Sequence, residues 1–439
     1  MRKTVFKIGL LLLIFTYTVQ AQLRPSFWWK CENGNTSYNY NPALRLDNNQ
    51  KLEFDSIPYS KEYTLIVVYK SIGEDETPVW KIHFNDSTFN GLTTQNIIFD
   101  KTTINYEETN RLGPIINTLQ QTSPTEIDSS QVYCNLTLEI PDSINTQLDI
   151  AEIMYFNSKP PMGLLRRVQS YLAIKYGVTL GAVNYSDGQG KILWKYRNNS
   201  DYHTRILGVG TDSIYTLTQY QSHSECDSGI ITLISDTLQQ GQFCIMGDNN
   251  GSLFFERDSI FDIEYLQRIW KICQTYGENI WDTIFYSLKI DTSLLPNNSD
   301  SLVLIIDDEY YYPDSISNGT LHYSNIIFGR DSSFMFIAKG DMLWQGTRTK
   351  RTSQSSDIAS SKISTQMYPN PTLGQYTIDV LNAKEVTVKI YNTLGSEILS
   401  YSDKDKIAYT FSGTLPHGNV YYVTITTEQG SQTMKLIVK

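Results

Sequence analysis

The sequence predicts an all-β protein made of several β-sandwich domains. Thirty Tyr and seven Trp among 439 residues favour strands, and so does a nearly continuous run of β-branched and aromatic residues from Tyr63 to Tyr69. Turn-forming Asn, Asp, Gly and Pro separate many such runs. A chain of this length is too long for one hydrophobic core, so we expect two or three domains.

The first folded domain is predicted over residues 22–181 as a jelly-roll sandwich. Its candidate strands are short and alternate with turns. They are Lys51–Phe54, Tyr63–Tyr69, Val79–Phe84, Asn135–Ile140 and Leu148–Asn157.

One helix is predicted within this β pattern, over about 160–177. A Pro-Pro pair opens it and Gly177 closes it, while Leu165, Val168 and Leu172 fall on one face. We expect this connecting helix to pack across a sandwich or to join two of them.

A second β-rich domain is predicted over 182–344. Its candidate strands are Lys191–Tyr196, Ile206–Val209, Ile230–Leu233, Phe243–Met246, Ile280–Ile290, Leu302–Ile306 and Phe334–Ala338. Residues 345–366 are rich in Ser, Thr, Lys and Arg, which is the composition of a solvated linker, and a last domain follows over 367–439.

Residues 1–21 have the pattern of a signal peptide, which predicts export. Basic residues precede the apolar run Ile8–Phe15, and the small residues Val19 and Ala21 suit cleavage. The run is too short to cross a bilayer, so we expect no transmembrane span. The net charge of −10 argues against nucleic acid or anionic lipid as a partner.

The last domain resembles the type A C-terminal sorting domain of the Bacteroidetes type IX secretion system. Three ordered motifs carry the resemblance, at 368–374, 386–395 and 415–423, followed by a basic C-terminal end. The motif residues are Pro369, Asn370, Pro371, Gly374, Tyr391, Asn392, Gly395, Gly418, Tyr421, Lys435 and Lys439. The resemblance implies an immunoglobulin-like sandwich, passage through the periplasm, and the type IX machinery and its sorting protease as partners. It also implies cleavage within 345–366 and a secreted or outer-membrane cell-surface location.

A second resemblance covers residues 148 to about 181. The strand Leu148–Asn157 and the helix phrase Leu164–Leu180 look like the close of laminin-G-like, concanavalin-like jelly rolls of Bacteroidetes surface proteins. Downstream, Ile206–Gly210, Met246–Asn249 and Arg268–Lys271 resemble the β-domain that often follows that helix.

No catalytic or cofactor-binding residue is assigned. A glycosidase on a jelly roll needs paired carboxylates, but Glu126 and Asp128 lack a third carboxylate at position 131. Asp149 and Glu152 are three residues apart, so strand alternation predicts that they point to opposite faces.

No metal site is assigned either, because His203, His223 and Cys226 lack a recognised ligand spacing. The oxygen-rich turns 248–250 and 307–309 leave structural calcium as an alternative to plain turns. The five cysteines contain no C-x-x-C pair, and in an exported protein one or two disulfides of unassigned pairing are expected.

Two further patterns concern surface chemistry. Trp28-Trp29 and Tyr310-Tyr311-Tyr312 are candidate carbohydrate platforms, although only alternate members of a strand share a face. A recurring Asp-Ser/Thr-Ile/Leu tripeptide resembles the O-glycosylation sequon of Bacteroidetes exported proteins, with a plain turn as the alternative. Its hydroxyl residues are Ser56, Ser143, Ser213, Thr237, Ser259, Thr283 and Ser315.

Together these observations predict a non-catalytic adhesion or binding module for glycans or surface proteins, delivered by type IX secretion. The alternatives are a secreted hydrolase with unrecognised catalytic residues and a structural surface component.

Overall fold

The computed structural model divides the chain into two compact units, Met1–Thr347 and Arg348–Lys439. It describes residues 24–85, 88–100, 102–105, 113–123, 132–226, 228–235, 237–258, 263–276, 284–295, 302–307, 309–329, 332–339, 364–368, 370, 372, 374–381, 383–393, 395–404, 408–416, 418–428 and 430–438. The predicted signal peptide and residues 345–363 of the predicted linker lie outside these ranges. The last three residues of that linker, 364–366, already belong to the first strand of the second unit.

The first unit begins with a sandwich of two six-stranded sheets. Its strands are β1 Phe27–Lys30, β2 Thr36–Tyr38, β3 Asn41–Leu46, β4 Lys51–Pro58, β5 Glu62–Ile72, β6 Pro78–His83, β7 Phe89–Thr93, β8 Asn96–Phe99, β9 Thr102–Asn105, β10 Ile115–Thr122, β11 Tyr133–Glu139 and β12 Gln147–Phe156. One sheet runs β10-β5-β12-β3-β2 with β1 beside β12, and the other runs β4-β11-β6-β7-β8-β9.

The core of this sandwich is filled from both sheets. Leu65 and Val67 of β5 and Ile153 of β12 meet Ile82 of β6 and Leu136 of β11, and all five are fully buried. The five predicted strands of this region are all present. The run from Tyr63 to Tyr69 forms the centre of β5. It is buried on both faces, which agrees with its nearly continuous β-branched and aromatic composition.

The predicted helix is α1, Met162–Tyr176. It ends at Gly177, whose φ of +63° is the left-handed conformation that closes many helices. Its last carbonyl groups are bound by a side chain from far away in the sequence, because Asn39 Nδ2 donates to the oxygens of Ile174 at 3.0 Å and Lys175 at 3.1 Å. The C-terminal end of α1 is therefore fastened to the β2–β3 turn.

The second part of this unit holds two larger sheets and a small hairpin. Its elements are β13 Tyr185–Ser186, β14 Ile192–Trp194, α2 Tyr196–Asn199, a 3₁₀ turn Ser200–Tyr202, β15 Thr204–Asp212, β16 Leu217–Gln219, β17 Gln221–His223, β18 Ile231–Ile234, β19 Phe243–Asp248, β20 Phe255–Asp258, β21 Ile263–Leu266, β22 Trp270–Thr275, β23 Tyr286–Asp291, β24 Leu302–Ile306, β25 Glu309–Tyr311, β26 Ser315–Ser317, β27 Thr320–Ile326 and β28 Ser333–Lys339. A nine-stranded sheet follows the order β16-β15-β19-β22-β28-β21-β20, with β24 and β25 joined at β28, and a five-stranded sheet follows β17-β18-β23-β27-β26.

Two predicted strands of this part are shorter than expected. The run 191–196 contributes only Ile192–Trp194, and Tyr196 already begins α2. The run 280–290 contributes a strand only from Tyr286, and its first four residues lie outside the described part of the chain.

The helix α1 is the link between the two parts. Its Val168, Leu172 and Tyr176 belong to one buried cluster that also contains Met154 of β12 and Ile245 of β19. One face of α1 therefore covers the first sandwich while its flank meets the nine-stranded sheet, which combines both predicted roles of the helix.

The second unit is a smaller sandwich. Its strands are β29 Ser364–Tyr368, β30 Gln375–Leu381, β31 Glu385–Asn392, β32 Glu397–Lys404, β33 Ala408–Thr414, β34 Asn419–Thr427 and β35 Gly430–Val438. The sheets run β29-β30-β33 and β32-β31-β34-β35, and buried Val388 and Val423 face Ile378 across the core. The prediction of an all-β, multi-sandwich protein is confirmed.

Two expectations concern membranes and cysteines. Within the described residues, no helix is both long and apolar enough to cross a membrane. All five cysteines are free thiols, so the expected disulfides are not formed. Burial raises the pKa of the Cys134 thiol to about 12.

Candidate functional site

A β-bulge in β12 corrects the prediction for Asp149 and Glu152. The pairing of β12 with β5 shifts register between Ile150 and Glu152, so Ala151 is an extra residue. The neighbours Ile150 and Ile153 both enter the sandwich core, which places Asp149 and Glu152 together on the opposite, helix-facing side. The expectation that they point to different faces is wrong, because it assumed unbroken alternation.

Glu152 is the centre of a buried polar cluster. Its side chain is fully buried, and it accepts hydrogen bonds from the indole Nε1 of Trp28 at 2.6 Å and from the hydroxyl of Tyr176 at 2.8 Å. The Tyr171 hydroxyl donates at 3.0 Å, and Lys175 Nζ forms an ion pair at 2.7 Å. Burial, together with the charge of Glu152, raises the pKa of Tyr171 and Tyr176 well above the ordinary value, so both remain donors.

Asp149 is also fully occupied. Arg45 holds its two carboxylate oxygens with Nε at 2.7 Å and Nη2 at 2.8 Å, and the hydroxyl of Tyr38 donates to it as well. Both carboxylates therefore fasten β12 to its surroundings. Glu126 and Asp128 lie outside the described residues.

A groove of about 670 Å³ opens at the end of β1, beside this polar cluster. Its walls combine aromatic, aliphatic and hydrogen-bonding groups. The lining residues are Trp28, Trp29, Lys30, Cys31, Glu32, Asn33, Leu44 and Thr216. Its volume lies within the range of about 300–1,000 Å³ that is usual for small-molecule sites.

The two tryptophans have different roles, as strand alternation predicts. Trp29 packs against Phe54 on the core side, with ring centroids 5.7 Å apart. Trp28 faces α1, and its ring meets Tyr171 edge-on at 6.2 Å. The two rings therefore lie on opposite faces of β1 and do not form one stacking surface, in agreement with the expectation that only alternate members share a face.

Lys30 is a charged residue of the groove that sequence reasoning missed. Its ammonium lies 3.9 Å from the centre of the Trp28 ring and 2.9 Å from Thr216 Oγ1. Burial lowers the pKa of Lys30, with Glu152 acting in the opposite direction. Alternation in β1 places Lys30 on the face of Trp28, a signal present in the sequence, whereas Thr216 comes from 186 residues away.

The tyrosine cluster follows the same alternation. Tyr310 and Tyr312 are about half exposed, and Tyr311 packs against the core of the second part. This leaves two exposed rings on the surface at β25 and beside it.

The candidate metal sites are hydrogen-bonded turns where the structure describes them. The carboxylate of Asp248 is held by Arg205 at 2.7 and 2.8 Å, and Asn249 Oδ1 accepts from two backbone N–H groups. Asp307 Oδ1 accepts from the Phe334 N–H, while Asp308 is outside the described residues. The described part of the chain holds no group of three His, Cys, Asp or Glu able to bind a metal ion.

The two histidines that were weighed as metal ligands, His203 and His223, have local partners. His203 accepts from the indole of Trp194 at 3.0 Å, and His223 pairs with Glu225 at 2.9 Å. The two histidines lie in different places, His203 in a loop and His223 at the end of β17.

Five of the seven candidate glycosylation hydroxyls are described, and all five are exposed. These are Ser56, Ser143, Ser213, Thr237 and Ser315. Ser259 and Thr283 lie outside the described residues. In one case the preceding aspartate has a turn role, since Asp212 accepts from the Ile214 N–H at 2.8 Å. Accessibility is compatible with both glycosylation and plain turns.

The sorting-motif residues meet at the last strand. Asn370 Nδ2 donates to the Lys435 oxygen at 2.6 Å, and its Oδ1 accepts from the Ile437 N–H at 2.9 Å. Gly418 N–H donates to the Val438 oxygen at 3.0 Å. The first and third motifs therefore both fasten β35.

The remaining motif residues shape turns and the core. Gly374, Gly395 and Gly418 have positive φ, Asn392 Oδ1 accepts from the Ser396 N–H at 2.9 Å, and Tyr421 is buried. Tyr391 lies in β31, half-buried. Pro369, Pro371 and Lys439 lie outside the described residues.

Two family models match parts of the chain. A secretion system C-terminal sorting domain matches residues 366–439, and a domain of unknown function (DUF8202) matches residues 165–336. The first match confirms the type IX sorting segment and implies export to a secreted or cell-surface location. The second covers α1 and the part that follows it.

The DUF8202 match contains the downstream motifs that were singled out. Gly247 in one of them is required by close packing, because a Cβ there would lie 2.3 Å from the backbone oxygen of Tyr202.

Similar solved structures are remote, and no curated protein matches. A Paenibacillus cycloisomaltooligosaccharide glucanotransferase with bound cycloisomaltoheptaose is 10% identical, with a TM-score of 0.18, over 71% of this chain and 45% of that one. The binding domain of botulinum neurotoxin DC with rat synaptotagmin II is 10% identical, with a TM-score of 0.22, over 70% and 92%. The chain thus spans less than half of the glucanotransferase, and scores this low carry no argument.

Proposed function

We propose that the exported chain is a non-catalytic binding module that takes glycans in the groove at the end of β1. The observation that carries the proposal is the composition of this groove. It places the apolar surfaces of Trp29 and Leu44 beside the amide of Asn33 and the hydroxyl of Thr216. Sugars present both C–H faces and hydroxyl groups, and they need such a mixed lining.

The buried polar cluster supports this function by fixing the groove. Glu152 holds Trp28, and Trp28 forms one wall. A wall that is already ordered loses little conformational freedom when a ligand binds. Delivery by the sorting domain places this groove outside the cell, where glycans are met.

Glycan-array screening of the full chain, followed by calorimetry of the best ligand, tests the proposal. Asn33→Leu replaces the amide at an exposed rim position by a branched, uncharged apolar side chain, and we expect it to weaken binding at least about tenfold without affecting folding. Gln95→Leu, on the exposed β7–β8 turn outside the groove lining, is the matched control and should bind normally.

Three results would contradict the proposal. Binding that is unchanged in Asn33→Leu would place the site elsewhere. Release of smaller sugars from a bound glycan would instead support the secreted hydrolase. Absence of glycan binding altogether would favour a structural or protein-binding surface component.

A further inference from the structure

Lys30 is a half-buried cation that has no carboxylate in contact with it. Its ammonium lies against Trp28 and donates to Thr216 Oγ1 and, at 3.5 Å, to the Tyr215 oxygen, all uncharged groups. No carboxylate of the described residues forms an ion pair with it. A buried cation of this kind is costly unless a negative charge compensates it.

The carboxylate of Glu152, which acts on Lys30 electrostatically, is already in use. Glu152 accepts from Trp28, Tyr171 and Tyr176 and is paired with Lys175, so its two oxygens are filled. Two ammonium groups thus surround one carboxylate, and Lys175 takes the direct ion pair. Lys30 remains as the cation that lines the groove.

The position of Lys30 is fixed rather than free. The Trp28 ring supports the ammonium by a cation–π contact at 3.9 Å, and the indole is itself held by Glu152 at 2.6 Å. Trp28 is therefore a positioning residue for Lys30. Lys30 covers one face of the Trp28 ring, so this face supports the ammonium group and is not available for stacking on a sugar.

We infer that the groove selects acidic glycans, with the carboxylate of a uronic acid paired to Lys30. This rests on the proposed glycan-binding function and adds the class of ligand. A carboxylate in the groove supplies the missing negative charge, while sugar hydroxyls reach Asn33 and Thr216. Glu32 lines the same groove but is exposed, so its repulsion of an acidic ligand is screened by water.

The test compares ligands that differ only in charge. Oligomers of galacturonate, glucuronate and mannuronate are titrated into the full chain beside their methyl esters. At least one acid should bind about tenfold more tightly than its ester, since a charge-assisted hydrogen bond is replaced by a neutral contact. The preference should weaken with rising salt.

Substitutions of the two charged residues complete the test. Lys30→Met should remove the preference for the acid, and Lys30→Arg should retain it. Glu32→Gln should strengthen binding of the acid by a fewfold and leave the ester unchanged. Circular dichroism of each variant shows that the fold is intact.

The outcomes distinguish failure of the inferred preference for acidic glycans from failure of the proposed glycan binding. If every ester binds as tightly as its acid, the inference fails while glycan binding stands. If neither acids nor esters nor neutral array glycans bind, the proposed function fails as well. If poly-glutamate competes equally with the best uronate, the groove recognises acidic protein, which overturns the inference.

Discussion

Lys175 of the connecting helix forms a 2.7 Å ion pair with Glu152 of β12, whose side chain is fully buried. The pair joins α1 to the central strand of the first sandwich at the point where the β-bulge turns Glu152 towards the helix. Only 14% of the Lys175 side chain is exposed, so solvent screens this pair weakly.

Removing the cation should therefore destabilise the first unit. Lys175→Met removes the direct ion pair of a buried carboxylate, and we expect a loss of about 3–5 kcal/mol in the free energy of unfolding. Urea titration followed by tryptophan fluorescence measures it, because all seven Trp precede residue 348 and so report on this unit alone.

The matched control for this prediction is Lys51→Met, which breaks the exposed pair between Lys51 and Glu53. It should have little effect, because both partners stay solvated. Equal losses for the two variants would contradict a special role for the buried pair.

The fastening of α1 by Asn39 makes a second prediction. Asn39 has a φ of +45°, and its side chain binds two carbonyls of α1, Ser222 Oγ and the His223 N–H. Asn39→Gly keeps the left-handed backbone but loses these bonds. We expect it to destabilise the first unit by about 2–4 kcal/mol, because several buried groups lose partners.

Asn39→Ala should destabilise the first unit more than Asn39→Gly, because the left-handed conformation is unfavourable for alanine. Asn35→Ala is the control and should have little effect, because Asn35 is exposed and its side chain bonds the backbone of Arg45 at the surface. A glycine variant as stable as the wild type would show that the backbone alone matters at position 39.

The contact of Asn370 with β35 makes a third prediction. Asn370→Ala removes both hydrogen bonds to the last strand, and amide hydrogen exchange at Ile437 should become roughly three- to tenfold faster. Asn370→Asp keeps the acceptor for Ile437 but loses the donor to Lys435, so its exchange should be intermediate. Mass spectrometry of the C-terminal peptide measures both.

Thr410→Ala serves as the control in this sandwich. Its exposed hydroxyl donates to Asp379 on the neighbouring strand β30, within the sheet that does not contain β35. Exchange at Ile437 should therefore not change. If Asn370→Ala exchanges like the wild type, Asn370 does not hold the last strand.

The lowered pKa of Lys30 makes a fourth prediction, for pH. An acidic ligand needs the ammonium form, so binding should fall as pH rises, with a midpoint below the ordinary lysine value of 10.5. The folding stability of the free protein should change with pH in the opposite direction. Burying the ammonium costs folding free energy below the lowered pKa, and this cost disappears as pH rises towards 10.5.

Calorimetric titration of the best uronate between neutral and alkaline pH measures the midpoint. Lys30→Arg should bind across the whole range, because its guanidinium does not lose its proton there. A wild-type curve that is flat over this range would exclude Lys30 as the charge that pairs with the ligand.

Local patterns in the sequence predicted most of the elements. The β-branched run 63–69 and the Pro-opened, Gly-closed helix are signals within short windows. They predicted the buried centre of β5, and they predicted α1 to within two residues at each end. The sorting motifs were equally readable, because Pro, Gly and Asn at fixed spacing constrain turns wherever the domain occurs.

The tertiary structure decided what those elements do. One extra residue at Ala151 reversed the side on which Glu152 lies, and alternation read from sequence has no means of locating such a bulge. The groove joins Lys30 to Thr216 across 186 residues, and Glu152 gathers donors from β1 and α1. The sequence by itself determined that this chain is a β-rich protein with a sorting domain. Only folding decided where its charges meet, because burial and pairing depend on residues that are distant along the chain.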